Sequence, residues 1–156
     1  MVVMMRIGDI CTIQFGNSIS RSNNIIGNIP VYGSGTSSLY YTNEANRSGI
    51  TCKISRFSCP KIMMLNENYY LDNTAFTIES NNHTLLTNKY LWFYLINNQN
   101  IIEYTEGTTI SKINMEDFLN IEIPVPSIIR QGEITKKSLS PNIIQNQNYS
   151  ILGKIE

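Results

Sequence analysis

Few residues in the chain could carry covalent chemistry, and their spacing decides against most of it. The single histidine, His83, sits in the turn-like stretch SNNHT with no nucleophile motif around it, which reads as a surface histidine rather than a general base. Cys11, Cys52 and Cys59 form no CxxC pair, and with one histidine they compose no familiar zinc site. Nothing marks Cys52 or Cys59 as activated, so both read as buried thiols. Glu116 and Asp117 are adjacent on a short helical turn, where their carboxylates diverge instead of sharing a proton or a metal. The stretch GSGTSS at 33–38 lacks the last glycine of a dinucleotide fingerprint and the Gly-Lys-Ser/Thr ending of a phosphate loop. No Asp/Asn-Pro-Pro-aromatic tetrapeptide occurs, nor a glycine-rich cofactor strand, so this chain alone does not methylate adenine. No catalytic residue, metal or cofactor is expected. Binding is the class that remains.

GSGTSS suits that class. Gly33 and Gly35 allow close approach of another molecule, and Ser34, Thr36, Ser37 and Ser38 supply hydroxyls that donate and accept hydrogen bonds. The formal net charge is zero, which argues against a histone-like polycation, but the charge is unevenly spread. Residues 21–61 hold Arg21, Arg47, Lys53, Arg56 and Lys61 against Glu44 alone. Residues 62–106 hold Glu67, Asp72, Glu79, Glu103 and Glu106 against Lys89. Two electrically distinct faces are the expectation, with a merely solvated surface as the bland alternative.

The elements that must position these residues are short. A chain of 156 residues with 42% apolar content supports one domain with a real core. The apolar start before Arg6 is too short for a signal sequence, and LWFYLI at 91–96 is too short to span a bilayer, so a soluble, cytoplasmic protein is expected. Strand-like runs are read at Gly8–Phe15, Ile29–Tyr32, Gly49–Ile54, Lys61–Leu65 and Ala75–Glu79. Thr87 can cap a helix running to Asn100 that buries one aromatic stripe, and Asn114 can cap the short turn MEDFL. Ile121, Ile123 and Val125 alternate as a last strand. Ser127 can then cap a helix in which Ile128, Ile129 and Ile134 dock, and Pro141 stops it. Strands interrupted by helices make an α+β domain, followed by a short C-terminal helical segment.

The order of segments resembles a known family, the target recognition domain of type I restriction-modification specificity subunits. IGDICTIQFGNSIS at 7–20 is similar to the family's opening strand, glycine and polar turn. GNIPVYGSGTSSLYYTNE, GITCKISRFSCPKIMML and YYLDNTAFTI follow in order. EGTTISKINMEDFLNIEIPVPSIIRQGEI at 106–134 resembles the closing pattern of a Gly-Ser/Thr-Thr turn, a short helix, an IPxP strand and a glutamine-bearing helix start. The resemblance covers about 130 residues. It implies a target recognition domain over 1–127 and a truncated helical spacer or dimerisation segment over 128–156.

What it implies functionally is a non-catalytic reader of one half of a bipartite double-stranded DNA sequence. Its implied partners are DNA, a DNA adenine methyltransferase subunit, a restriction-translocase subunit and a second copy of the chain, with no membrane and no cofactor. On that reading Arg47, Lys53, Arg56 and Lys61 position phosphates, while Ser34, Thr36, Ser37 and Tyr40 approach phosphates or base edges. Arginine reads guanine through two acceptors, which makes Arg56 the foremost base-contact candidate. Thr108, Thr109, Ser111 and Lys112 form a second polar loop. Two departures from the pattern stand out: RFSCP at 56–60, where relatives have a glycine-bearing turn, and the early Pro141. A β-rich sugar-binding or protein-interaction module is the alternative.

Overall fold

A computed structural model of the protein describes residues 2–20, 27–57, 62–105 and 110–136. Arg21, Cys59, Pro60, Lys61, Thr108, Thr109 and everything from 137 onward lie outside the described residues. In chain order the elements are β1 (Val3–Arg6), α1 (Ile7–Ile10), β2 (Cys11–Phe15), β3 (Ile29–Tyr32), β4 (Tyr40–Thr42), β5 (Ile50–Ser55), β6 (Ile62–Asn66), β7 (Tyr70–Leu71), β8 (Ala75–Ser80), α2 (Asn88–Asn97), a 3-10 turn (Gln99–Ile101), α3 (Met115–Leu119), β9 (Glu122–Val125) and α4 (Ile128–Thr135). Among the described residues the fold is α+β, as expected.

The centre is a four-stranded antiparallel sheet in the order β2-β8-β5-β6. Period-two alternation gives its strands two different faces. Cys52, Ile54, Phe76 and Ile78 point to one side, where they pack with Ile62, Met64, Ile7, Ile10, Phe118 and Ile123 around α2. Thr51, Lys53, Ser55 and Thr77 point to the other, beside Met63 and Leu65 of β6. That second face is covered by a three-stranded sheet, β4-β3-β7, through a small cluster of Met63, Leu65, Tyr69, Leu71 and Ala75. β1 and β9 form a separate two-stranded sheet.

The caps stand where the sequence puts them. Thr87 Oγ1 accepts from Tyr90 N at 3.2 Å, Asn114 from Asp117 N at 3.2 Å and Ser127 from Arg130 N at 3.2 Å. Other expectations are corrected. The run Gly8–Phe15 is not one strand, because Ile7 and Ile10 are buried one helical turn apart and wind the chain into α1 before β2 begins. Helix α2 is apolar on more than one stripe, since Trp92 and Ile96 are buried with Tyr90, Leu91 and Leu95, and Trp92 Nε1 donates to Ile78 O at 2.9 Å. It closes at Asn97 and gives way to the 3-10 turn.

In α4, Ile128 and Ile129 do not dock: Ile129 is 78% exposed. The inward face belongs to Gln131 and Thr135, four residues apart, with Ile134 beside them. Gln131 is fully buried and satisfies four partners at once. Its Nε2 donates to Leu85 O and Pro126 O, both at 2.8 Å, and its Oε1 accepts from Thr87 N at 2.9 Å and from the Thr87 hydroxyl at 3.3 Å. A single amide thus fastens α4 to the start of α2. His83, Glu116 and Asp117 are exposed, and Cys11 and Cys52 are buried free thiols, with burial pushing the Cys11 thiol up to about 12. No described helix is long and apolar enough to cross a membrane.

Candidate nucleic-acid interface

At one end of the central sheet, three segments bond to the turn Asp72–Asn73–Thr74 that joins β7 to β8, and a fourth joins them through Arg56 and Phe57. The turn is closed by Asp72 Oδ1, which accepts from Thr74 N at 2.8 Å and from the Thr74 hydroxyl. On one side it holds the glycine-serine loop: Ser34 N donates to Thr74 Oγ1 at 2.9 Å, and Ser34 Oγ donates to Thr74 O at 2.7 Å. Gly33 leaves no room for a side chain there, since a Cβ would stand 2.7 Å from both Asp72 Oδ2 and Thr74 Oγ1. On the other side Arg56 N donates to Thr74 O at 2.9 Å, and Arg56 Nη1 donates to Asn73 O at 2.7 Å.

The Arg56 guanidinium also lies against two aromatic rings, 5.0 Å from the Phe15 centroid and 5.5 Å from that of Phe57. Phe57 bridges to Lys112, and Ile113 N donates to Arg56 O at 2.8 Å, so residues 110–112 are drawn to the same end. Thr105 frames that segment by donating from its N to Lys112 O at 2.9 Å. On the outer side Asn73 Nδ2 donates to Ser18 Oγ at 3.0 Å.

The structure therefore gathers several of the residues expected to bind and buries others. Thr36, Ser37 and Lys112 are exposed, and Ser34, Arg56 and Ser111 are half-buried at this end. Tyr40 is half-buried on β4, the edge of the small sheet. Lys61 and Thr109 lie outside the described residues. Arg47 is corrected: it is buried, with Nε on Thr77 Oγ1 at 3.0 Å, Nη1 on Asn46 O at 3.0 Å and Nη2 on Gln14 O at 2.9 Å. Burial lowers its pKa from the ordinary arginine value.

Lys53 is corrected too, because it is wholly buried and its Nζ donates to Gly33 O at 2.6 Å and Gly35 O at 2.7 Å. Burial pulls the ammonium down to about 8, against the opposing pull of the Asp72 charge. The physical reason for both corrections is the same. Alternation assigns Lys53 and Thr77 to the polar face of the sheet, but the small sheet and its loops cover that face. The expected cationic surface thus loses two of its five basic members to the interior.

Asp72, Asn73, Thr74, Phe15 and Phe57 are the site residues that sequence reasoning did not single out. Asp72 was findable, because an Asp two residues before a Thr in LDNT is the sequence of an Asx-type turn. Nothing local marks Phe15, 42% exposed at the end of β2, as the ring under Arg56. A cleft of about 490 Å³ opens elsewhere, on the same face of the sheet as Lys53, between Thr12, Gln14, Asn46, Arg47, Thr77 and Glu79. Among the described residues no group of His, Cys, Asp and Glu is placed to hold a metal.

Comparison with known proteins places the fold. The fold matches the S subunit of a type I restriction-modification system from M. genitalium with a TM-score of 0.76 at 17% identity, over 87% of this chain and 37% of that one. It matches the HsdS subunit from Thermoanaerobacter tengcongensis with a TM-score of 0.60 at 20% identity, over 99% of this chain and 40% of that one. A structure describing complex assembly and conformational transition of the type I R-M system matches with a TM-score of 0.64 at 21% identity, over 86% and 36%. The chain thus spans about two fifths of the length of each of these chains. No curated protein sequence matches it. The family model for the type I restriction modification DNA specificity domain matches residues 1–149, nearly the whole sequence, and the chain belongs to that family.

Proposed function

We propose that this chain reads one half of a bipartite duplex DNA sequence, without catalysing a reaction itself, as a specificity component of a type I restriction-modification system. The domain reads DNA, and the segment from 128 onward spaces it from a second copy or from methyltransferase and restriction subunits. The observation that carries this is the convergence of four segments around Asp72–Asn73–Thr74. Exposed Thr36, Ser37 and Lys112, with half-buried Arg56 and the Asn73 amide, belong to segments at this one end of the sheet and support that reading.

The chemistry suits a polyanion with edges to be read. Lys112 is a point charge for phosphate, and Arg56 is a planar donor held by its Nη1 bond and two rings, with further N–H groups for a guanine edge. Hydroxyls and amides add contacts to phosphate and base. Catalysis has no comparable support at this end, where Asp72 is engaged in closing its turn.

Selection from a random duplex library, followed by sequencing, tests the proposal. A short enriched motif is expected, with affinity falling steeply as salt rises because phosphate contacts release counterions. Failure to enrich any motif, or an affinity for a glycan or peptide that survives high salt, overturns it.

A further inference from the structure

We propose that Lys53 is a positioning residue for DNA recognition: from inside the fold it fixes the backbone of the Gly33–Ser38 loop, and through that shape it selects the duplex sequence the loop accepts. This rests on the reading of the chain as a DNA reader and adds to it a residue that touches no DNA. Lys53 stands in the middle of β5, paired with Thr77 on one side and Met63 on the other, directly under the loop. Its Nζ donates to Gly33 O at 2.6 Å and to Gly35 O at 2.7 Å. Two carbonyls from alternate residues converge on one ammonium, which curls the loop around that point.

The consequence for the outer surface follows from peptide geometry. In a trans peptide the C=O and the next N–H point in opposite directions, and no peptide bond among the described residues is cis. With Gly35 O drawn inward to Lys53, the Thr36 N–H is turned outward, to the side on which Thr36 and Ser37 are exposed. Ser34 is held separately by Thr74 through two bonds. The first half of the loop is thus tied from two directions, and the donors of its second half are set by those ties.

A buried ammonium is a costly way to fill a strand position. Methionine would fill the same space without desolvating a charge, and replacing buried ionic groups by apolar ones is often neutral or stabilising. What methionine lacks is the pair of donors. A lysine kept only for packing would be replaceable, whereas a lysine that shapes the loop would not.

The test compares the full chain with Lys53→Met and Gly33→Ala. Gly33→Ala disturbs the same loop from its opposite side, where a Cβ meets Asp72 and Thr74. Hydrogen exchange at residues 34–38 is measured on the protein alone, and each protein is put through the random duplex selection. Lys53→Met is expected to fold, to exchange these amides at least about tenfold faster, and to bind the wild-type motif at least about tenfold more weakly while binding unrelated duplex within about twofold of wild type. Its own enriched motif is expected to be broader or different.

A Lys53→Met chain with normal exchange and the wild-type motif overturns the proposal. If that variant does not fold, Gly33→Ala decides by the same two readouts. A wild-type chain that enriches no motif overturns the DNA reading and this proposal together. A wild-type motif shared unchanged by the variant overturns this proposal alone.

Discussion

On one face of the central sheet, Cys52, Ile54, Phe76 and Ile78 meet an apolar helix; on the other, the same strands offer Thr51, Lys53, Ser55 and Thr77 to a small sheet and its loops. The first face is held by area and shape. The second has only a small apolar cluster and adds directed bonds, with Arg47 and Lys53 donating to carbonyls and a hydroxyl from within. The difference teaches how two faces of one sheet are held by different forces. Apolar contact is strong but tolerates sliding, whereas a donor between two carbonyls fixes a loop to within a fraction of an ångström.

The comparison breaks most plainly in stability. Phe76 is wholly buried and meets Phe15 and Phe118 edge-on, with centroids 5.7 and 5.5 Å away. Phe76→Ala is expected to cost about 3–5 kcal/mol in denaturant unfolding. A loss below about 1 kcal/mol would show that the apolar face is not the main source of stability. Gln131→Ala comes next. It leaves Thr87 N, Leu85 O and Pro126 O buried without their partner, and about 2–3 kcal/mol is expected to be lost by the same measurement. A variant as stable as the wild type would mean that water replaces the amide and that α4 is not fastened by it.

Much of this was legible in the sequence, and the failures at the candidate site share a cause. Thr87, Asn114 and Ser127 cap their helices because capping is a local matter of one side chain and one nearby N–H. The strands around 29, 50, 62 and 75 were read as short β-like runs bounded by turn residues, which is also a local signal. What could not be read is what covers a face. Lys53 and Arg47 look like surface cations because lysine and arginine usually are; only the β3-β4 loop over Lys53, and the packing of Arg47 against Gln14 and Thr77, make them interior. Gln131 was visible as part of a motif, but its four partners come from segments up to 46 residues away. β7, two residues long, carries no periodic signal, yet it delivers the turn on which the site is built.

The polar face is sharpened by pH. Lys53 binds its proton with a pKa near 8 when folded and near 10.5 when unfolded, so between those values the folded protein has released a proton that the unfolded chain still holds. Stability contributed by Lys53 therefore rises as pH rises through that window. Cys11 and Cys52 work the other way, because burial raises both thiols and the unfolded chain deprotonates first. Comparing the wild type with Lys53→Met cancels Cys11 outright and most of Cys52, where burial outweighs the opposing pull of the Lys53 charge. The wild type is expected to gain about 2 kcal/mol on the variant between pH 8 and 10.5, measured by denaturant unfolding at each pH. A difference that stays flat with pH would show that burial does not lower the pKa of the lysine.

The smallest effect on stability is expected where the effect on binding is largest. Arg56 donates to Asn73 O and lies over Phe15 and Phe57, but it is half-exposed, and contacts of this kind contribute below about 1 kcal/mol. Arg56→Ala should unfold within that margin of the wild type. If Arg56 reads a base, affinity for the selected duplex should fall by about 1–3 kcal/mol, the preference at one base pair should relax, and the salt dependence should lose about one phosphate equivalent if the charge also meets the backbone. Lys53→Met should instead change the preferred sequence and leave the salt dependence in place, since a buried ammonium releases no counterion. Two cations of the same sheet end would then be separated by what they alter: one the contact, the other the shape of the loop that makes contacts. Equal salt slopes for the wild type and Arg56→Ala, with an unchanged motif, would place Arg56 outside the interface and leave Lys112 as the described cation of that end with its charge free for phosphate.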